Sequence, residues 1–503
     1  MNGNARILTG AGELVNAINA GYAFFYAHTY EMTDTVEQIQ KAILDLKQFK
    51  VSLFDYEENQ DAEGALAAFE NQGPDSILIA KNFHWFLKDE VGAPNKMVCS
   101  WIQNRLEAFT TAENYRALII VSDDEYSKAI PEMLGKDFLQ IEFPLPDVEA
   151  IEKIYDYIVD SAKDDPKFKM PDEQTKRDVI DSSRGMTKRE ITCAYAYSIV
   201  RDKGNLNPKT VGEIQAKEIA KTDGLSLLDC SNVGELIGYE TLKEVVLGTI
   251  YSPLSKGVLL LGPAGTGKTH FCMWVGKKVN RKVIKVELAQ MMGEGLVGQA
   301  EKAVGKACQV LAANAPCIVI VDEIEKGLAG VGNNSMGNET KRAAMAQFLK
   351  FLSDERPDGI YIMATCNNMS MLPPEWVRAE RWDCAPFFID LPTAQERDSI
   401  LEHYKKVGFK VGKETLKPTG DRPENMADWT GAEIKSVCRL SVAWQKTIEE
   451  VQDLIIPIAR TMDAEISSLK KWAEGRTIPA TKKISMKPVS SVGDKRRMKI
   501  SMN

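Results

Sequence analysis

The stretch from Lys256 to Val279, KGVLLLGPAGTGKTHFCMWVGKKV, constrains this chain more than any other. Val258 to Leu261 is an unbroken apolar run beside a glycine, as in a strand buried on both faces. Gly262, Pro263, Ala264, Gly265, Thr266, Gly267, Lys268 and Thr269 follow and satisfy G-x-x-x-x-G-K-[ST]. The residues after them have helical composition. Strand, glycine loop and helix, in that order, form the setting in which this pattern holds phosphate. Glycines let backbone N–H groups curl around the β- and γ-phosphates of a nucleotide, and the helix N-terminus adds partial positive charge. Lys268 then reaches the phosphates and the Thr269 hydroxyl ligates Mg²⁺. His270 closes the candidate binding segment. The expected fold is α/β, a three-layer P-loop sheet.

About fifty residues on, CIVIVDEIEKG reads as a second buried strand, Ile318 to Val321, ending in Asp322 and Glu323. An aspartate at that edge holds Mg²⁺ beside Thr269. Glu323 is placed to polarise the attacking water. A third strand, Gly359 to Thr365, runs into Asn367, which can hold that water or simply be a turn asparagine. Next comes PPEWVRAERWD, with Arg378 and Arg381.

P-loop, Asp-Glu, an A-T-x-N strand and P-P-E-x-x-R-x-x-R-[FW]-D, in this order, resemble the AAA+ ATPases. The resemblance implies ATP and Mg²⁺ as cofactors and a helical lid. It also implies a homo-oligomeric ring, usually a hexamer, in which Arg378 and Arg381 reach a neighbouring subunit's site. Glu380 stands where the family usually has glycine. ELIGYETLKEVV resembles the segment that packs on adenine, at Ile237 and Gly238. Trp429-Thr-Gly-Ala-Glu-Ile434 resembles the opening of a lid helix, with Gly431 and Ala432 near the ribose and base. After the strand read at Lys282 to Leu288, Leu296, Val297 and Gly298 resemble the pore loop of such rings. Leucine there replaces the usual aromatic; the bland alternative is that Leu296 and Val297 pack in the subunit's own core. More narrowly, GLVGQAEKAV and IPIARTMDAEISSLKKWAEGR resemble the AAA-type ATPases of chloroplast and cyanobacterial hypothetical reading frames.

The first 200 residues read as a degenerate copy of the same module. Strands at Ala23–Ala27, Lys50–Phe54, Ser76–Ala80, Arg116–Val121 and Phe138–Phe143 follow the order of the ATPase core. MTKREITCAYAYSIV parallels WTGAEIKSVCRLSVAW, and the Pro146–Thr187 interval of 41 residues is close to the 38 of Pro392–Thr430. An internal repeat is the economical reading, against an unrelated α/β domain. The phosphate chemistry is missing: His28-Thr-Tyr-Glu-Met-Thr follows the first strand, and Lys81-Asn82 stand where Asp-Glu should be. This copy is expected not to bind ATP.

The organisation read from the sequence is therefore a degenerate domain at 1–204, a linker at 205–231, the ATPase core at 232–393, a helical lid at 394–476 and a basic tail at 477–503. Lys471 to Asn503 carry a net +7, against −8 for the whole chain. That tail can bind nucleic acid or an acidic protein, or be merely solvated. Nine scattered cysteines without C-x-x-C read as buried free thiols, and four separated histidines give no metal spacing. No apolar run approaches the ~20 residues that span a bilayer, and MNGNARILTG lacks a signal-peptide core, so a cytoplasmic or stroma-like location without membrane is expected. The functional expectation is ATP hydrolysis driving remodelling of a protein partner. The alternatives are a nucleic-acid motor and a nucleotide-gated assembly scaffold with little turnover.

Overall fold

Apolar strand runs separated by amphipathic helices leave little choice but parallel sheets, because each crossover helix must cover a sheet face. The computed structural model describes residues 8–46, 48–55, 61–89, 92–292, 299–327, 336–369, 372–412 and 414–481. Leu296, Val297 and Gly298 lie outside these, as do residues from 482 on. The chain divides into two units, residues 1–215 and 216–503.

In the first unit the strands are β1 (Leu8–Thr9), β2 (Phe24–Thr29), β3 (Lys50–Asp55), β4 (Ser76–Lys81), β5 (Arg116–Ser122) and β6 (Leu139–Phe143). They lie in the order β1-β6-β2-β5-β4-β3 and are parallel throughout. β2 and β5 are buried along their whole length. Apolar clusters cover both faces: one includes Phe24, Leu78, Leu118 and Ile120, the other Phe25, Ile77, Ile79 and Ile119. That is the period-2 alternation of a sheet covered on both faces. A helical lobe follows, with Ile151, Tyr155, Val179, Ile191 and Tyr195 as its own core.

The second unit repeats this plan. Its strands are β7 (Leu225–Leu228), β8 (Gly257–Leu261), β9 (Lys282–Val286), β10 (Cys317–Val321), β11 (Ile360–Cys366), β12 (Phe387–Phe388), a hairpin of β13 (Phe409–Val411) and β14 (Glu414–Leu416), and β15 (Ile478–Pro479). The sheet order is β15-β12-β8-β11-β10-β9-β7, parallel except for β7. Trp429, Ile434, Val437, Leu401 and Met426 form the core of the helical lid.

Two segments differ from the sequence reading. Within the segment read as a linker, 205–231, and as partly helical, the helix Pro208–Ala220 agrees with that reading, but β7 pairs with β9 along the sheet edge. Leu225 buries itself in the adjoining core, which is the reason this stretch is held. Likewise, Ile478 and Pro479, assigned to the tail, form an edge strand. Of the cysteines, six are buried, Cys230 and Cys384 are half-buried, and Cys193 is exposed on an outer helix face. Among the described residues no helix is long and apolar enough to cross a membrane.

Candidate nucleotide site

The C-terminal ends of β8, β10 and β11 converge where the strand order reverses, between β12 and β11. Open parallel sheets leave a crevice at such a point. Six residues, Gly262 to Gly267, join β8 to the helix Lys268–Val279. Gly262, Gly265 and Gly267 all have left-handed φ, and a Cβ on Gly262 would collide with the backbone of Ile389. Only glycine permits that approach.

Lys268 is 6% exposed, and its ammonium donates to the carbonyls of Gly262 and Pro263 at 2.8 and 2.7 Å. Burial pushes its pKa down to about 8, with Glu325 foremost among the acids that oppose the shift. The Thr269 hydroxyl donates to Asp322 Oδ1 at 3.1 Å, and Thr365 donates to the same oxygen at 2.7 Å. A hydroxyl and a carboxylate in contact beneath a glycine loop are hard oxygen donors, the set that suits Mg²⁺. The residues present therefore fit a magnesium nucleotide.

Glu323 sits at φ 50°, a conformation that non-glycine residues rarely adopt and that concentrates at functional sites. Its N–H donates to Thr365 Oγ1, and its Oε1 accepts from the Asn367 amide at 3.1 Å. Lys326 pairs with its other oxygen at 2.6 Å. The N–H of Asn367 is in turn held by buried Glu325 at 2.9 Å. The carboxylate and amide read separately from two strands thus touch.

A cavity of about 380 Å³ opens beside this cluster. Ile237, Ala264 to His270, Asp322, Glu323, Asn367, Gly431 and Ala432 line it. Gly238 (φ 82°) adjoins it; the N–H of Ala432 donates to Gly265 at 3.3 Å, joining lid to loop. Burial lowers the pKa of His270, and Lys435 adds to the shift. Arg378 and Arg381 are not part of this lining. Arg378 is exposed, whereas Arg381 donates to Ser353 Oγ at 3.2 Å and to the carbonyl of Glu375.

Comparison with known proteins now decides the family. Residues 258–388 match the ATPase family associated with various cellular activities (AAA), and residues 11–143 match the SpoVK-like AAA ATPase N-terminal domain. The chain carries an AAA ATPase domain. An uncharacterised AAA domain-containing protein, ycf46, of Guillardia theta is 26% identical over 92% of this chain and 94% of its own. The proteasome-activating nucleotidase of Sulfurisphaera tokodaii is 31% identical over 36% of this chain and 46% of its own. The ATP-dependent zinc metalloprotease FtsH 2 of Bdellovibrio bacteriovorus is 30% identical over 41% and 35%. The reaction of this AAA ATPase is ATP hydrolysis.

The site of the AAA ATPase also holds residues that pattern reading passed over. Tyr239, directly after Ile237-Gly238, donates its hydroxyl to the carbonyl of Thr266 and so pins the glycine loop. Its place directly beside Ile237 and Gly238 was a usable signal. Glu396, His403, Tyr404, Lys435 and Thr481 line the cavity from the lid side and beyond. No spacing in the sequence marks these.

Proposed function

We propose that this AAA ATPase assembles into a ring, a hexamer by family analogy, and couples ATP hydrolysis to remodelling of a protein partner. The observation that supports its hydrolytic part is the contact between Glu323 and Asn367 beside the Thr269–Asp322 pair, and exposed Arg378 supports the ring. Glu323 accepts the proton of the attacking water, and Asn367 holds that water against the γ-phosphate. Lys268 leaves the loop carbonyls for phosphate oxygens, a move toward stronger charge pairing. Magnesium, held by Thr269 and Asp322, would supply charge neutralisation on the phosphates.

The two arginines take different parts. Exposed Arg378 is free to reach a neighbouring subunit and stabilise transition-state charge in trans. Arg381, tied to Ser353 and Glu375, shapes the loop that presents it.

A mixing experiment tests the ring. Arg378→Ala and Lys268→Ala proteins should each be inactive, and their mixture should regain activity at shared interfaces. Full activity of Arg378→Ala alone would end the trans argument. Remodelling is tested with Glu323→Gln, which should retain a bound partner in ATP while Lys268→Ala retains none.

A further inference from the structure

The chain leaves the last lid helix, Asp463–Ala473, and returns to the core sheet before its basic end. β15 is only two residues long, yet hydrogen bonds hold it on two sides. Ile478 N–H donates to Pro386 at 2.9 Å and Ala480 N–H to Phe388 at 3.0 Å. The Ala480 carbonyl accepts from Thr241 and Leu242, at 3.1 and 3.2 Å, in the first turn of the helix Glu240–Thr249. Ala480 is 2% exposed, in the cluster that holds Leu236, Phe387 and Ile389. Pro479 lacks an N–H, which an edge strand does not miss.

That helix begins directly after Ile237-Gly238-Tyr239, so the returning chain buttresses one wall of the nucleotide cavity. It also enters the cavity. Thr481 lines it and donates to Glu396 Oε1 at 3.3 Å. The other oxygen of Glu396 is held by the N–H of Thr393 at 2.7 Å, in the capping box that starts the helix Ala394–Val407. The fixed carboxylate lies so close to Gly238 that a Cβ there would collide with it.

We propose that Ile478–Thr481 is part of the nucleotide site: a strap from the end of the lid to the sheet edge, whose Thr481–Glu396 pair lines the wall beside Ile237 and Gly238 and strengthens nucleotide binding. This rests on the cavity being the nucleotide site. ADP binding should order the strap, and loosening the strap should weaken ADP.

The test uses the full-length protein, with Mg-ADP as the probe. Thr481→Val removes one hydroxyl at nearly constant shape. It should raise the ADP dissociation constant by about threefold to tenfold, and lower the melting temperature of the Mg-ADP-bound protein more than that of the free protein, because ADP tightens the pair. Hydrogen exchange at the amides of Ile478 and Ala480 should slow on adding Mg-ADP to wild type. Unchanged affinity in Thr481→Val, or exchange at these amides indifferent to ADP, overturns the proposal. If wild type does not bind ADP, the nucleotide-site reading fails, and the strap falls with it.

Discussion

The two sheets share a frame and differ in what stands at its carboxyl edge. Aligned by strand register, β6-β2-β5-β4-β3 of the first unit corresponds to β12-β8-β11-β10-β9 of the second. Asn82 then falls on Glu323, and both have left-handed backbone, at φ 54° and 50°. Lys81 falls on Asp322 and is paired with Asp55 at 3.0 Å. Thr187 and Thr430 both cap a lid-type helix through a capping box, with Glu190 and Glu433. The two units differ in one loop. Six residues separate β8 from its helix, but only Tyr30 and Glu31 separate β2 from Met32–Leu44. Two residues cannot encircle a phosphate.

What fills that place in the first unit is carboxylate. Glu31 accepts the Arg189 N–H at 3.1 Å, at the start of the helix Lys188–Arg201, and Asp34 pairs with Lys188 at 2.5 Å. Burial raises the pKa of Glu31. In the second unit a loop backbone meets the lid instead. The lesson is that the same sheet frame can join its helical lobe either through internal charge or through a glycine-loop backbone.

The sharpest way to break this comparison is Lys268→Ala in the full chain. It should abolish Mg-ADP binding in calorimetry; a surviving micromolar site would place a second nucleotide in the first unit. Next in size, Glu323→Gln should keep ADP affinity and lose at least ~100-fold in turnover, as removal of a positioned base does. Wild-type turnover would leave Glu323 without its role. Arg381→Ala should lower the melting temperature, by the loss of two hydrogen bonds worth about 1 kcal/mol each. Arg378→Ala should leave melting unchanged, so equal melting of both would cancel the distinction between them.

Smaller still is the clasp of the first unit. Asp34→Asn, at a half-exposed pair, should cost that unit about 0.2–1 kcal/mol and leave ATP turnover untouched. Altered turnover would mean that the clasp answers to the catalytic unit. Least is a pH effect at His28. Burial favours its neutral form, but Glu142, bonded at 2.7 Å, outweighs burial and holds the pKa above 6.5. The stability from this pair is full below that value and drains as pH rises through the raised one. The melting difference between wild type and His28→Gln should therefore be full below about pH 6.5 and shrink as pH rises above it.

Much of this protein could be read in one dimension. Strand, loop and helix around Lys268 are local, because an apolar run, a glycine turn and a helix start need only neighbours in sequence. The parallel between the halves was legible for the same reason: caps such as Thr187 and Thr430 act within one turn. The tertiary structure alone brought Asn367 to Glu323 and Tyr239 under the glycine loop. It alone separated an anchored Arg381 from an exposed Arg378, and returned Ile478–Thr481 from the lid to the sheet. These are contacts between residues far apart in the chain. Their partners are set by which sheet edge remains open and which side chain a cavity leaves room for, and neither leaves a periodic mark in the sequence.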